Sequence, residues 1–161
     1  MNWFRVPKED PPSKVDEARS DEDSPRGACM HQQFAMNEEE AQRLAMYLRE
    51  ITLYTELETL AVVTKTGRRV AFSSTKGIDI DPDLLSAISA VLLQTGQEAV
   101  TKLGFEPLYE LIVRGENGII VVTDAGPLVL IGAGVKIESL GHVVSVFRHF
   151  GREIAGLFAK R

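Results

Sequence analysis

The sequence predicts a three-layer α/β (α+β) sandwich in which a five-stranded, mainly antiparallel sheet carries helices on both faces. Three observations lead there. Hydrophobic periodicity and turn signals run in the order α-β-β-α-β-β-β-α along the chain. Two strand segments, Ile119-Ile120-Val121-Val122 and Leu128-Val129-Leu130-Ile131, are apolar at consecutive positions rather than alternate ones. A strand with one wet face alternates, so these two must be covered on both faces. Three helical segments are present to cover them, and a sheet between helical layers is the economical arrangement.

Each element has its own signal. Asn37 followed by Glu38, Glu39 and Glu40 is an N-cap with an acidic first turn and a capping-box partner. Ala41, Leu44, Ala45, Leu48 and Ile51 then recur at helical spacing, so the first helix is expected to end near Leu53. Residues 60–64 and 69–73 are β-prone runs around Lys65-Thr66-Gly67-Arg68, the pattern of a hairpin. Asp81-Pro82 opens a second helix, with Asp as N-cap and Pro at the first helical position, and Gly104 closes it after Leu103. Strands are expected over 108–113, 119–123 and 128–133, separated by Gly115-Glu116-Asn117-Gly118 and Asp124-Ala125-Gly126-Pro127. A last helix is expected over roughly 139–159, with Leu140, Val144, Phe147, Phe150 or Gly151, Ile154 and Leu157 on one stripe.

The second helix carries the most information. Leu84, Ile88, Val91 (with Leu92), Thr95, Ala99 and Leu103 form a stripe expected to pack on the sheet. Leu85, Ser89, Leu93, Gly96 and Val100 form a second stripe beside it, and residues 84–97 contain no charge. A helix apolar nearly all round is covered by something, and a domain this small has no fourth layer. Its second stripe is therefore expected to lie against another subunit, as large exposed apolar patches do. Ser89 and Gly96 would permit close approach there; without such a reason Gly96 costs the helix about 1 kcal/mol. The alternative cover is the N-terminal tail or the first helix, but the tail is polar and the first helix is needed on the other face.

Composition sets the outer bounds. The chain has 161 residues, 44% apolar and 25% charged, with a formal charge of −5. That is an ordinary globular balance, and the acidic excess opposes general nucleic-acid binding. Residues 1–35 hold four of the seven prolines, seven acidic and five basic residues, and no apolar periodicity. They are expected to be a disordered tail, with residues 36–161 forming one folded domain. Within the tail, Trp3-Phe4-Arg5-Val6 contains the lone tryptophan and reads either as a short docking motif or as chance. A single cysteine, Cys29, makes no intrachain disulfide and no thiolate zinc site. No stretch approaches the roughly 20 apolar residues of a membrane span, and a signal peptide is not expected, so the expected location is cytoplasmic.

Taken together, the hairpin AVVTKTGRRVAFSS, the helix DPDLLSAISAVLLQTGQEAVTKLG and the strand pair LYELIVRGENGIIVV resemble the roadblock/dynein-light-chain family, including its MglB-like regulators of small GTPases. The resemblance covers approximately residues 37–160. It implies a dimer, formed with a second copy or with a homologous roadblock subunit, that binds a Ras-like small GTPase as a scaffold or as a GTPase-activating partner. It also implies that the third strands of two subunits join their sheets, placing Leu108, Glu110 and Ile112 at the seam, with the second helices together on one face as a docking platform.

Catalytic signals are weak. Gly132-Ala133-Gly134-Val135-Lys136 loosely suggests a phosphate loop but lacks the required spacing, so a strand-to-helix turn is expected. His31, His142 and His149 are too few and scattered for a metal or acid–base site. Arg68-Arg69 could serve as an arginine finger, although a basic turn pair is more often only solvated. The expectation is no catalytic residue, no cofactor and no metal, hence no enzyme, with no nucleic-acid partner and no membrane insertion. A small-molecule sensor of similar three-layer fold is the alternative. Its mark, polar residues interrupting the inward sheet positions, is missing from 119–122 and 128–131.

Overall fold

A computed structural model describes residues 34–75 and 80–159. The expected tail up to residue 33, with Trp3-Phe4-Arg5-Val6, Cys29 and His31, lies outside the described residues. The elements are α1 (Glu38–Tyr54), β1 (Thr59–Thr64), β2 (Arg69–Ser74), α2 (Pro82–Leu103), β3 (Glu110–Gly115), β4 (Gly118–Ala125), β5 (Leu128–Gly134) and α3 (Leu140–Phe158), in the order the sequence predicts.

The helix ends follow the local chemistry. Asn37 Oδ1 accepts from the Glu40 backbone N–H at 2.8 Å, while Glu40 Oε2 accepts from the Asn37 N–H at 2.9 Å, a complete capping box. Asp81 caps α2 through the Asp83 N–H at 2.9 Å. Gly104 ends α2 in the left-handed region at φ 70°, where a side chain would be strained. Ser139 caps α3.

All strand pairings are antiparallel, and the sheet order is β2-β1-β5-β4-β3, which leaves β2 and β3 as edges. Alternation along each strand builds two cores. Leu60, Val62, Val121 and Leu130 meet α1 and α3 on one face, where Phe147 and Ile154 are fully buried. Ala61, Val63, Val122 and Ile131 meet α2 on the other. The double coverage required by the apolar strands is thus satisfied by two helices below and one above.

α2 lies on the sheet by the stripe opposite to the one expected. Leu85 (3% exposed), Ser86, Ser89 and Gly96 are buried within the chain, and Leu93 and Val100 are half-buried. Leu84 (57%), Val91 (63%) and Leu103 face outward instead, together with Thr95 and Ala99. The physical reason is closeness. Small side chains let the helix settle on its neighbours, with the Ser86 and Ser89 hydroxyls satisfied by the helix carbonyls of Pro82 and Leu85 at 2.6 Å. A Cβ on Gly96 would stand 3.1 Å from Leu108 Cδ2 of the same chain. Gly96 thus makes room for a contact within the chain.

Candidate partner-binding surface

The outward flank of α2 begins where Asp81 and Pro82 start the helix and continues through Leu84, Ile88 and Val91 at helical spacing. Its charge-free surface borders a groove of about 480 Å³ floored by the sheet. Leu84, Ile88 and Ile80 line one side; Val113 of β3 and Ile120 of β4 line the other. The flank, the groove and edge strand β3 therefore form one continuous apolar region that ends in main chain left unpaired among the described residues.

β3 distributes its side chains between the two faces. Leu111 packs toward α2 and lies below Gly96, and Val113 follows it on that face. Glu110 turns toward α3, where its carboxylate receives Arg148 Nε at 2.8 Å and a second guanidinium nitrogen on its other oxygen. That hydrogen bond first, and the carboxylate's charge second, hold the Arg148 guanidinium above its ordinary pKa. Ile112 is exposed on the same side as Glu110.

The eight residues expected at a subunit seam therefore separate into two groups. Leu85, Ser89 and Gly96 are internal, Leu93 and Val100 are half-buried under α2, and Leu108 is buried where the chain enters β3. Glu110 and Ile112 lie on the edge strand. Sequence reasoning does not assign Leu84, Ile88, Val91 or Val113 to the seam. The signal for three of them is present, since they form the second apolar face of α2, but periodicity does not say which face turns inward. Val113 becomes their neighbour only through the tertiary fold.

Other candidate residues have structural roles. Arg69 Nη1 lies 3.0 Å from Asp83 Oδ1, which ties the β1–β2 hairpin to the first turn of α2. Gly132, Ala133 and Gly134 belong to β5, so the stretch is strand rather than phosphate loop. His142 Nε2 lies 2.9 Å from the Tyr54 carbonyl oxygen at the end of α1, and the His149 ring packs edge-on to Phe150. Among the described residues no group of three or more His, Cys, Asp or Glu could hold a metal ion, and no helix is long and apolar enough to cross a membrane.

The fold recurs in known proteins. The family model for the Roadblock/LC7 domain matches residues 43–133, and the chain belongs to that family. Among solved structures, "MglB with tetrameric arrangement" superposes with TM-score 0.72 at 18% identity, covering 78% of this chain and 94% of that one. The gliding protein MglB from Thermus thermophilus gives TM-score 0.72 at 18% identity, covering 78% and 96%. MglB from Myxococcus xanthus gives TM-score 0.69 at 19% identity, covering 78% and 95%. At these identities the likeness is one of fold. No curated protein matches the sequence.

Proposed function

We propose that this roadblock domain is a non-catalytic, dimeric adaptor of the cytoplasm that binds a Ras-like small GTPase. The supporting observation is the apolar region running from Leu84, Ile88 and Val91 across the groove to Val113 beside the free edge of β3. Exposed apolar surface continuous with an unpaired strand edge favours association in water, because burying it releases hydration and pairs the main chain. A second copy, or a homologous roadblock subunit, would join along β3 and bring two α2 helices side by side. The GTPase would then dock on the paired helices.

Light scattering on the purified chain should give twice the monomer mass. Immobilised protein should retain a small GTPase in one nucleotide state in preference to the other. Val91→Glu, at an exposed position, should abolish both while leaving the circular dichroism spectrum unchanged. A monomer at micromolar concentration that retains no GTPase would overturn the proposal.

A further inference from the structure

β4 sets one polar side chain among apolar ones on the sheet face that carries α1 and α3. Val121 and Ala125 enter the core on that face, and Thr123 stands between them. Thr123 is 4% exposed, and its hydroxyl has no hydrogen-bond partner among the described residues. An unpaired buried hydroxyl opposes folding, so its presence calls for a reason. A polar residue at an inward sheet position is the mark of a ligand-holding sandwich; residues 119–122 lack one, and Thr123 follows them directly. Thr123 lines a cavity of about 400 Å³ between the entry to β3, β4 and α3. α3 comes close there because Gly151 sets no side chain against the Thr123 methyl. Arg148 and Arg152, one helical turn apart, line the cavity from α3, and Pro107, Leu108 and Tyr109 add a largely apolar wall. Two of the lining charges are already answered. The Glu110 carboxylate receives Arg148, and Lys65 takes the carboxylate of Asp124, the acid among the lining residues. Arg152 is exposed and has no acidic partner among the described residues, so one guanidinium charge is left over in the cavity that holds the orphan hydroxyl.

We propose that this cavity binds a small carboxylic acid with an apolar or aromatic body, its carboxylate held by Arg152 and by the Thr123 hydroxyl. The planar guanidinium fork matches a carboxylate in both spacing and charge. The hydroxyl donates to a carboxylate oxygen and loses its unsatisfied state only when the ligand is bound. A single negative charge balances the single guanidinium left over, whereas a phosphate dianion would bring a second charge toward Glu110. The body of the ligand lies against Leu108 and the ring of Tyr109, which stands 65% exposed with room to cover it. A volume of about 400 Å³ falls within the range of small-molecule sites, roughly 300–1,000 Å³. The cavity lies on the α3 side of the sheet, away from the exposed flank of α2, so occupation requires neither a second subunit nor a GTPase.

Benzoate titrated into the full chain, followed by calorimetry and by thermal melting, tests the site. The expected result is saturable binding of one benzoate per chain and a melting temperature that rises with its concentration. Arg152→Gln should weaken binding about tenfold or more, through loss of a charge-assisted contact. Thr123→Val should weaken it about two- to tenfold, although removing the orphan hydroxyl makes the protein itself more stable. That opposition separates a lost contact from a damaged fold. Arg49→Gln, which removes an exposed arginine of α1, should bind benzoate as the parent does. Phenyl phosphate or inorganic phosphate bound as tightly as benzoate would overturn the choice of a carboxylate. Benzylamine bound as tightly would overturn the anion altogether. No saturable benzoate binding up to millimolar concentration, or binding that neither Arg152→Gln nor Thr123→Val weakens, would overturn the site. Light scattering on the same samples reports self-association separately. An empty titration with a dimer therefore sinks this site alone, and a monomer that binds benzoate sinks the dimeric adaptor alone.

Discussion

Arg148 on α3 and Glu110 on edge strand β3 form a two-pronged ion pair, with Arg148 Nε 2.8 Å from Glu110 Oε2 and a second guanidinium nitrogen on the other oxygen. The two residues stand 38 positions apart, and the contact ties the outermost strand to the helix beneath it. The Glu110 side chain is only 15% exposed, whereas that of Arg148 remains half in water. Arg148→Ala should lower the melting temperature modestly, by less in high salt than in low. The arginine's folded pKa is raised above its unfolded value. Its contribution is therefore complete below the unfolded value and is lost only as pH rises through the folded one, in strong alkali. Thermal unfolding across about pH 6–9 should show no step from this group.

Gly151 lets α3 lie close against β4. A Cβ there would stand 2.8 Å from Thr123 Cγ2 and 3.2 Å from the Asp124 carbonyl oxygen. Alanine would gain up to about 1 kcal/mol of helix propensity, but overpacking in a closed site costs about 1–3 kcal/mol. The clash outweighs the propensity. Gly151→Ala should destabilise the fold, measured as a lower urea midpoint with unchanged slope.

Thr123 buries a hydroxyl that has no hydrogen-bond partner among the described residues. A buried unsatisfied polar group costs about 1–3 kcal/mol, and valine keeps the methyl that meets α3. Thr123→Val should raise stability by about 1 kcal/mol in denaturant titration, a rare case of a hydroxyl better absent.

The two stripes of α2 should respond oppositely to substitution. Leu85→Ala removes a fully packed side chain, and about 2–5 kcal/mol of folding stability should go with it. Val91→Ala should leave unfolding of the dilute monomer within about 0.5 kcal/mol of the parent, yet weaken association measured by sedimentation. Equal effects at the two positions would contradict the observed orientation of the helix.

Much of the architecture can be read locally. Asn37, Asp81, Ser139 and Gly104 mark helix ends because caps act within one turn, on main-chain groups only a few residues away. Gly67, at φ 82° in the hairpin, and the consecutive apolar runs of β4 and β5 are likewise local signals. The sequence places the first strand of the final meander two residues early, since Leu108 continues the apolar run before pairing with β4 begins at Glu110. The candidate surface is half legible. A helix apolar on two sides announces that one side needs cover, and β3 can be placed at a seam by resemblance.

By itself the amino-acid order determined the eight elements, their sequence, the demand for cover on both faces of the sheet, and an apolar excess on α2. Those properties depend on neighbours within about one helical turn or one strand. Only the assembled fold decided which side of α2 turns inward, because that depends on how closely a small residue such as Gly96 can settle on Leu108 and on Leu111 of β3. The fold also joined Arg148 to Glu110 and set Val113 beside Leu84, since contacts between separate layers form only once the chain has closed on itself.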